Sequence, residues 1–332
     1  MSVEALVERL RASRGFCHKN DIAGVVASLA QRMPGGMQDL SQAIAVGDDC
    51  AAIADADGYL LFAIEGMVGE FVKAMPWFAG YSSVMVNVSD IYAMGGRPIA
   101  VVDALWADGL TAAQPVLDGM AAASVAYGIP VVGGHTNTRN DGAQLAVSII
   151  GRARKLLSSF NARPGDRLLM AVDLRGKFED PYPFWNASVG APANRLRADL
   201  ELLPALAEDG LCDAAKDISM GGVLGTALML LECSGVGACI DLDSIARPHG
   251  IETDADFERW LLSFPSFGFL LSVRDAHVDE VMARFADRSL ACAVIGTVDA
   301  SRKAVLERRG EQALLWDFSD AAFIGASHGD AL

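Results

Sequence analysis

Gly47-Asp48-Asp49-Cys50-Ala51-Ala52-Ile53 is the stretch that most restricts what this chain can fold into. Two adjacent carboxylates stand between short apolar runs, and Gly47 lets the backbone turn just ahead of them. Three more polar interruptions of apolar segments follow: Ala63-Ile64-Glu65-Gly66, then Asn87-Val88-Ser89-Asp90 ahead of Met94-Gly95-Gly96, then Val132-Gly133-Gly134-His135-Thr136. Taken alone, Asp48-Asp49 reads as a solvated turn. Carboxylates repeated at the ends of buried segments point instead to a hard-cation site, because Mg2+ takes oxygen ligands and shares them with phosphate. Charge repulsion argues the same way. Two carboxylates about 4 Å apart repel by roughly 4 kcal/mol at an effective dielectric near 20, so four converging acids need protonation, a wide wet spacing or a cation.

The chain has 332 residues, a length that suits two domains rather than one core. With 52% apolar and 21% charged residues it is globular. The formal charge of -15, with no run rich in Lys or Arg, excludes nucleic-acid binding by phosphate neutralisation. ATP bound through metal ions stays compatible with an acidic protein. Val3, Leu6, Val7 and Leu10 follow helical spacing, and with acids among them no signal peptide is expected. The most apolar long segment, residues 223–240, is broken by Glu232 and several glycines, so no membrane span is expected. Six cysteines without a CxxC pair are expected to be reduced, in a cytoplasmic protein.

Spacing predicts a helix over residues 20–32, capped by Asn20 or Asp21 and broken at Pro34-Gly35-Gly36. Strands are expected at 43–54 and 59–64, which puts Glu65 at a strand end. A helix over 81–94 carries Asn87 and Asp90 on one face, either as a functional pair or as a satisfied structural one. A strand at 98–106, a helix at 111–127 with Thr111 as its cap, and strands at 129–132 and 144–150 complete the first half, Gly133-Gly134 allowing close backbone approach. Asn161-Ala162-Arg163-Pro164-Gly165-Asp166 is the boundary signal. Beyond it, strands are expected at 167–172, 238–242, 268–273 and 292–298, with helices at 193–206, 222–233, 254–262 and 275–286.

Five blocks in this order resemble the aminoimidazole ribonucleotide (AIR) synthase superfamily, most closely its thiamine-monophosphate kinase branch. They are Gly47-Asp48-Asp49-Cys50-Ala51-Ala52, Asn87-Val88-Ser89-Asp90 with Ala93-Met94-Gly95, Ala162-Arg163-Pro164-Gly165-Asp166, Lys216-Asp217-Ile218-Ser219 with Gly221-Gly222, and Ser234-Gly235-Val236-Gly237-Ala238 with Ile240-Asp241-Leu242. The resemblance implies an α+β, two-domain PurM-like fold. Residues 1–38 would form an N-terminal helical segment. Residues 39–155 would form the ATP- and Mg2+-binding α/β domain, whose sheet closes into a β-barrel in a homodimer, and 156–332 the C-terminal α+β domain. ATP would lie between the domains, and no P-loop is required or present. By position, Asp48, Asp49, Glu65, Asp90 and Asp217 would be metal ligands. Gly47, Asp48, Asn87, Gly133, Gly134 and Ser219 would hold the nucleotide, and Asp49, His135 and Asp217 would take part in the chemistry.

Three departures bear on the substrate. His135 stands where the kinases carry an acid, Met220 replaces the second acid of their Asp-Ile-Ser-Asp-Gly block, and Ser263-Phe264-Pro265-Ser266-Phe267-Gly268-Phe269 replaces an acidic one. Arg14-Gly15-Phe16-Cys17-His18-Lys19 reads either as a surface linker between helices or as a mobile segment whose Lys19 neutralises phosphate and whose Cys17 acts as nucleophile, as in selenophosphate synthetases. The aromatic stretch Asp180-Pro181-Tyr182-Pro183-Phe184-Trp185-Asn186 either lines an acceptor site or packs. The expected function is ATP- and Mg2+-dependent phosphoryl transfer to a small molecule, of kinase, ligase or cyclase type. The alternative is a nucleotide-binding regulatory or assembly protein without turnover.

Overall fold

This computed structural model of the protein describes residues 1–32 and 46–325. The expected break at Pro34-Gly35-Gly36 and the start of the first strand at Ala43 lie outside the described residues. The chain divides into two compact units, one of Asp49–Leu156 with Gly190–Ala205, the other of Met1–Asp48, Leu157–Val189 and Leu206–Leu332.

The first unit is a five-stranded sheet with helices on one face. Its strands are β1 (Ala51–Asp55), β2 (Gly58–Met67), β3 (Arg97–Asp108), β4 (Val131–Asn137) and β5 (Arg139–Ala153), in the order β1-β2-β5-β3-β4. Neighbours run antiparallel except β3 and β4. A two-residue turn at Ala56-Asp57 joins β1 to β2, with Ala56 at φ +50°. Leu61, Ala63, Val101, Leu105, Leu145, Val147 and Ile149 are buried on the helix-facing side. The alternation that buries them leaves Phe62 and Ile64 51% and 65% exposed on the other side, together with Val102.

Three helices follow β2 and β3: α3 (Gly69–Ala74), α4 (Pro76–Ala93) and α5 (Gly109–Tyr127). Helix α4 is buried from Phe78 to Ala93, as its all-round apolar sequence requires. It crosses α5 on glycine. A methyl group placed on Gly119 would meet the Trp77 carbonyl oxygen at 1.9 Å, so the two backbones touch there. Helix α5 starts at Gly109 rather than behind a Thr111 cap, and Gly128 closes it at φ +72°. The short α6 (Ala193–Leu200) also belongs to this unit.

The second unit holds a seven-stranded sheet of β6 (Arg167–Val172), β9 (Ala214–Asp217), β10 (Gly237–Asp241), β12 (Gly268–Val273), β13 (Ala291–Asp299), β14 (Lys303–Arg308) and β15 (Glu311–Asp317). Their order is β15-β14-β10-β13-β6-β12-β9. A smaller sheet joins β7 (Lys177–Phe178), β8 (Phe184–Asn186) and β11 (Phe264–Pro265) in the order β11-β8-β7. Helices α1 (Val3–Arg11), α2 (Arg14–Arg32), α8 (Gly222–Ser234), α9 (Asp254–Leu261) and α10 (Val278–Ala286) belong here. The stretch expected as one helix over 193–206 is two, α6 and α7 (Leu202–Glu208), with Pro204 tolerated in the first turn of α7.

The N-terminal helices are docked. Val3, Leu6, Val7 and Leu10 of α1 are buried, and Arg11 donates to the Leu315 carbonyl of β15 at 2.9 Å. Helix α2 begins at Arg14, not at Asn20, because the Ser13 hydroxyl accepts from the Phe16 amide. The stretch read as a linker or mobile segment, residues 14–19, is therefore the first turns of a helix. Within the aromatic stretch 180–186, Trp185 packs. Trp185 is buried, donates its indole N–H to the Asp173 carbonyl at 2.9 Å, and meets Trp260 edge to face at 5.3 Å.

Candidate active site

In the first unit, strand register gathers polar side chains on the helix-facing side. Val147 of β5 pairs with Glu65 of β2 on one flank and with Asp103 of β3 on the other, and Asp103 pairs in turn with Gly134 of β4. Cross-strand partners share a face, and strands about 4.8 Å apart put the backbones of Glu65 and Asp103 about 10 Å from each other. Helix α4 lies over this row. Asn87 is fully buried and donates to the Val147 carbonyl at 2.9 Å and to the Ser83 carbonyl at 2.8 Å. With both N–H groups used, its Oδ1 makes no hydrogen bond. Asp90, three residues further along α4, is also buried.

Asp103 is the residue that reading the sequence passed over. It interrupts Val101-Val102-Asp103-Ala104-Leu105 on the same face as the buried Val101 and Leu105, and an acid on the apolar side of a strand was the available signal. Burial raises its carboxyl pKa from the ordinary value, and its own backbone amide offsets part of that rise. The glycine beside it is required. A methyl group on Gly134 would meet Asp103 Oδ1 at 2.3 Å, whereas one on Gly133 would meet nothing within 4 Å. His135 is the next residue and pairs with Ala104, so alternation turns it to the opposite, open face, where its ring lies 5.8 Å from that of Trp106. The structure does not bring His135 to the acids of the row.

The two acids of the opening stretch have different surroundings. Asp48 accepts from the Ser158 and Ser159 hydroxyls, each at 2.7 Å, and from the Ser159 amide at 3.1 Å. Its carboxylate thus ties Gly47, at φ +127°, to the turn at 158–160. Asp49 begins the other unit and is half-buried.

In the second unit, Asp217 ends β9 and is buried, its carbonyl accepting from the Thr226 hydroxyl at 3.3 Å. Ser219 follows, its amide donating to the same hydroxyl at 3.3 Å, ahead of Met220-Gly221-Gly222 and the start of α8. Helix α2 presses on this loop. A methyl group on Gly15 would meet the Met220 carbonyl oxygen at 2.1 Å, and one on Gly221 would lie 3.9 Å from Lys19 Cγ. Lys19 is therefore beside the Asp217–Gly222 loop, while Cys17 is exposed on the same helix with its Sγ 3.8 Å from the Arg11 carbonyl. Among the described residues, no three His, Cys, Asp or Glu side chains gather into a metal cage.

Residues 47–153 match the model of the AIR synthase related protein, N-terminal domain, and residues 186–308 that of its C-terminal domain. The chain belongs to the AIR synthase related family. Its relatives include the Synechocystis protein sll0787, 48% identical over 321 residues that cover 96% of this chain and 97% of that one. Thiamine-monophosphate kinase of Pyrococcus horikoshii is 30% identical over 218 residues, 60% of this chain and 67% of the kinase. Among solved structures, T. maritima PurL complexed with ATP superposes with a TM-score of 0.69 at 18% identity. That match covers 87% of this AIR synthase related chain, which spans about half (48%) of the PurL chain. AaThiL complexed with AMPPCP and TMP gives a TM-score of 0.62 at 18% identity, covering 83% of this chain and 92% of that one. These likenesses show the two-domain α+β PurM-like fold that the family models describe.

Proposed function

We propose that this protein binds ATP with Mg2+ and phosphorylates a small molecule, releasing the product or consuming it as an activated intermediate. The row Glu65–Val147–Asp103–Gly134, faced by buried Asn87 and Asp90, carries the reading. It puts Glu65 and Asp103 on the sheet face that α4 covers, where the buried Asn87 amide oxygen has no donor, and such an orphan costs about 1–3 kcal/mol unless a ligand satisfies it. A hard cation or its water shell fits that oxygen, so the residues present suit Mg2+. The PurL structure with ATP and the thiamine-monophosphate kinase relative support the nucleotide.

In this reading Asp49, Glu65 and Asp90 face the metal directly or through its waters, and Asn87 pins the helix that carries Asp90 to β5. Asp48, held by Ser158 and Ser159, shapes the loop that presents Asp49. Gly134 keeps the backbone close to Asp103, with Gly133 exposed beside it for nucleotide approach. Asp217 and Ser219 face phosphate, and Lys19 supplies positive charge beside them. Bound Mg2+ supplies neutralisation of the phosphate charge as the γ-phosphoryl group moves. Positioning and electrostatics then carry most of the rate, as in phosphoryl transfer generally. His135, turned to the open face, is not the base of this scheme. The same reading makes the protein a homodimer, a second copy covering the open face around Phe62 and Ile64 and ending the sheet edges that β1 and β4 form among the described residues.

The second reading, a nucleotide-binding regulatory protein without turnover, draws on Met220, an exposed thioether in the loop where the resemblance expects an acid. Incubation with γ-labelled ATP and Mg2+ across a panel of small alcohols, phosphate monoesters and amides separates the two. Label transferred to an acceptor, or released only when one acceptor is present, is the expected result. Tight ATP binding with no label moving for any acceptor would favour the second reading.

A further inference from the structure

Residues 321–325 lie across α2 and α8 and are held by one buried carboxylate. Glu232 of α8 accepts from the Phe323 amide at 2.8 Å, the Ile324 amide at 2.7 Å and the Gly325 amide at 3.3 Å. Phe323 is fully buried, meeting Phe16 of α2 edge to face at 5.6 Å and Trp316 at 5.2 Å. Two residues on, Gly325 adopts φ +76°, and a methyl group there would be 3.1 Å from Ala23 of α2. The segment therefore touches α2 at Phe16 and at Ala23, on either side of Lys19. The neighbouring contact is equally tight, with Gly15 against the Met220 carbonyl and Phe16 against Gly225. Helix α2 packs on both this segment and the loop that carries Asp217 and Ser219.

We propose that residues 321–325 form a strap that positions Lys19, with Glu232 and Phe323 as positioning residues for the phosphate-facing cation. The inference rests on the function proposed above, since Lys19 needs a phosphate to face. Glu232 is far better suited to this task than to binding a ligand, because three backbone donors already converge on its two oxygens. The strap acts on Lys19 only through the helix, so its loss should weaken nucleotide binding without altering the contacts of the acids.

Calorimetric titration of the full-length protein with Mg2+ and a non-hydrolysable ATP analogue tests this, with adenosine as the probe that lacks phosphate. Lys19→Ala should weaken the ATP analogue about tenfold and leave adenosine unchanged, and Phe323→Ala and Glu232→Gln should each weaken it about three- to tenfold. Phe323→Leu should restore most of the loss. The decisive variant is the double one. Lys19→Ala/Phe323→Ala should bind no more weakly than Lys19→Ala alone, because a residue acting through Lys19 has nothing left to position. Additive losses would overturn the proposal, and so would unchanged ATP-analogue affinity in both strap variants. If Lys19→Ala itself binds normally, the phosphate role of Lys19 is wrong and the strap falls with it. Glu232→Gln keeps an acceptor oxygen under the strap and serves where Phe323→Ala does not fold.

Discussion

Asp103 shows what a single side chain can report. Its carboxyl is pushed up by burial, so the ionised form is less favourable in the folded protein than in the unfolded chain. The sign follows. A raised carboxyl pKa costs nothing below the ordinary carboxylate range, and the cost grows as pH rises through the interval up to the folded value. Asp103→Asn removes that cost while keeping the shape beside Gly134. The melting temperature of the variant should therefore exceed that of the wild type near pH 8, with the gap closing towards pH 4. A pH-independent difference between the two would contradict the burial argument. Asp48, Asp49, Glu65, Asn87 and Asp90 stood out in the sequence because each breaks an apolar run next to a turn or on a helix face. Asp103 did not, since it breaks a strand in its middle, and only the pairing of β3 with β5 shows what it lies beside. The face of His135 was equally hidden, because two-residue alternation has no sign until the strand is anchored.

At the scale of elements, the α4–α5 crossing is the sharpest case of packing overriding propensity. Gly119 sits within α5, where alanine is intrinsically better by about 1 kcal/mol. Its Cα faces the Trp77 carbonyl, so a methyl group must force the helices apart. Gly119→Ala should destabilise the protein, by roughly 1–3 kcal/mol as overpacked cores do, in urea unfolding. Stabilisation would mean that the two helices do not meet there. The helices and central strands were legible because their apolar periods are strong, as over 167–172 and 268–273. Strands β14 and β15 were not. Their sequences, Lys303–Arg308 and Glu311–Asp317, mix charges with apolar residues at the sheet edge, where one side of the strand meets water. The start of α2 was misplaced because Asn20 and Asp21 are good caps in isolation, while Ser13 wins through contacts that dock the helix.

For the whole molecule, the two-unit architecture and the family were readable from motif order. The interleaving of segments was not, since residues 190–205 join the first unit and 206–332 the second. The open face of the five-stranded sheet bears on assembly. Phe62 and Ile64 are the most apolar part of it, and burying two such side chains per copy contributes roughly 1.5–3 kcal/mol each. Ile64→Arg should turn the proposed homodimer into a monomer in light scattering with the helical circular-dichroism signal unchanged. A wild-type protein that is already monomeric at micromolar concentration would remove the dimer from the account.

The central claim is that Glu65 on the sheet, with Asn87 and Asp90 on the helix packed against it, holds Mg2+ against a triphosphate. Calorimetric titration with an ATP analogue, with and without Mg2+, in wild type and Asp90→Asn measures it most directly. The account predicts binding that requires Mg2+ and is weakened at least tenfold by Asp90→Asn, about 1.4 kcal/mol or more. Equal affinity with and without the metal, or an Asp90→Asn variant that binds like the wild type, would contradict it.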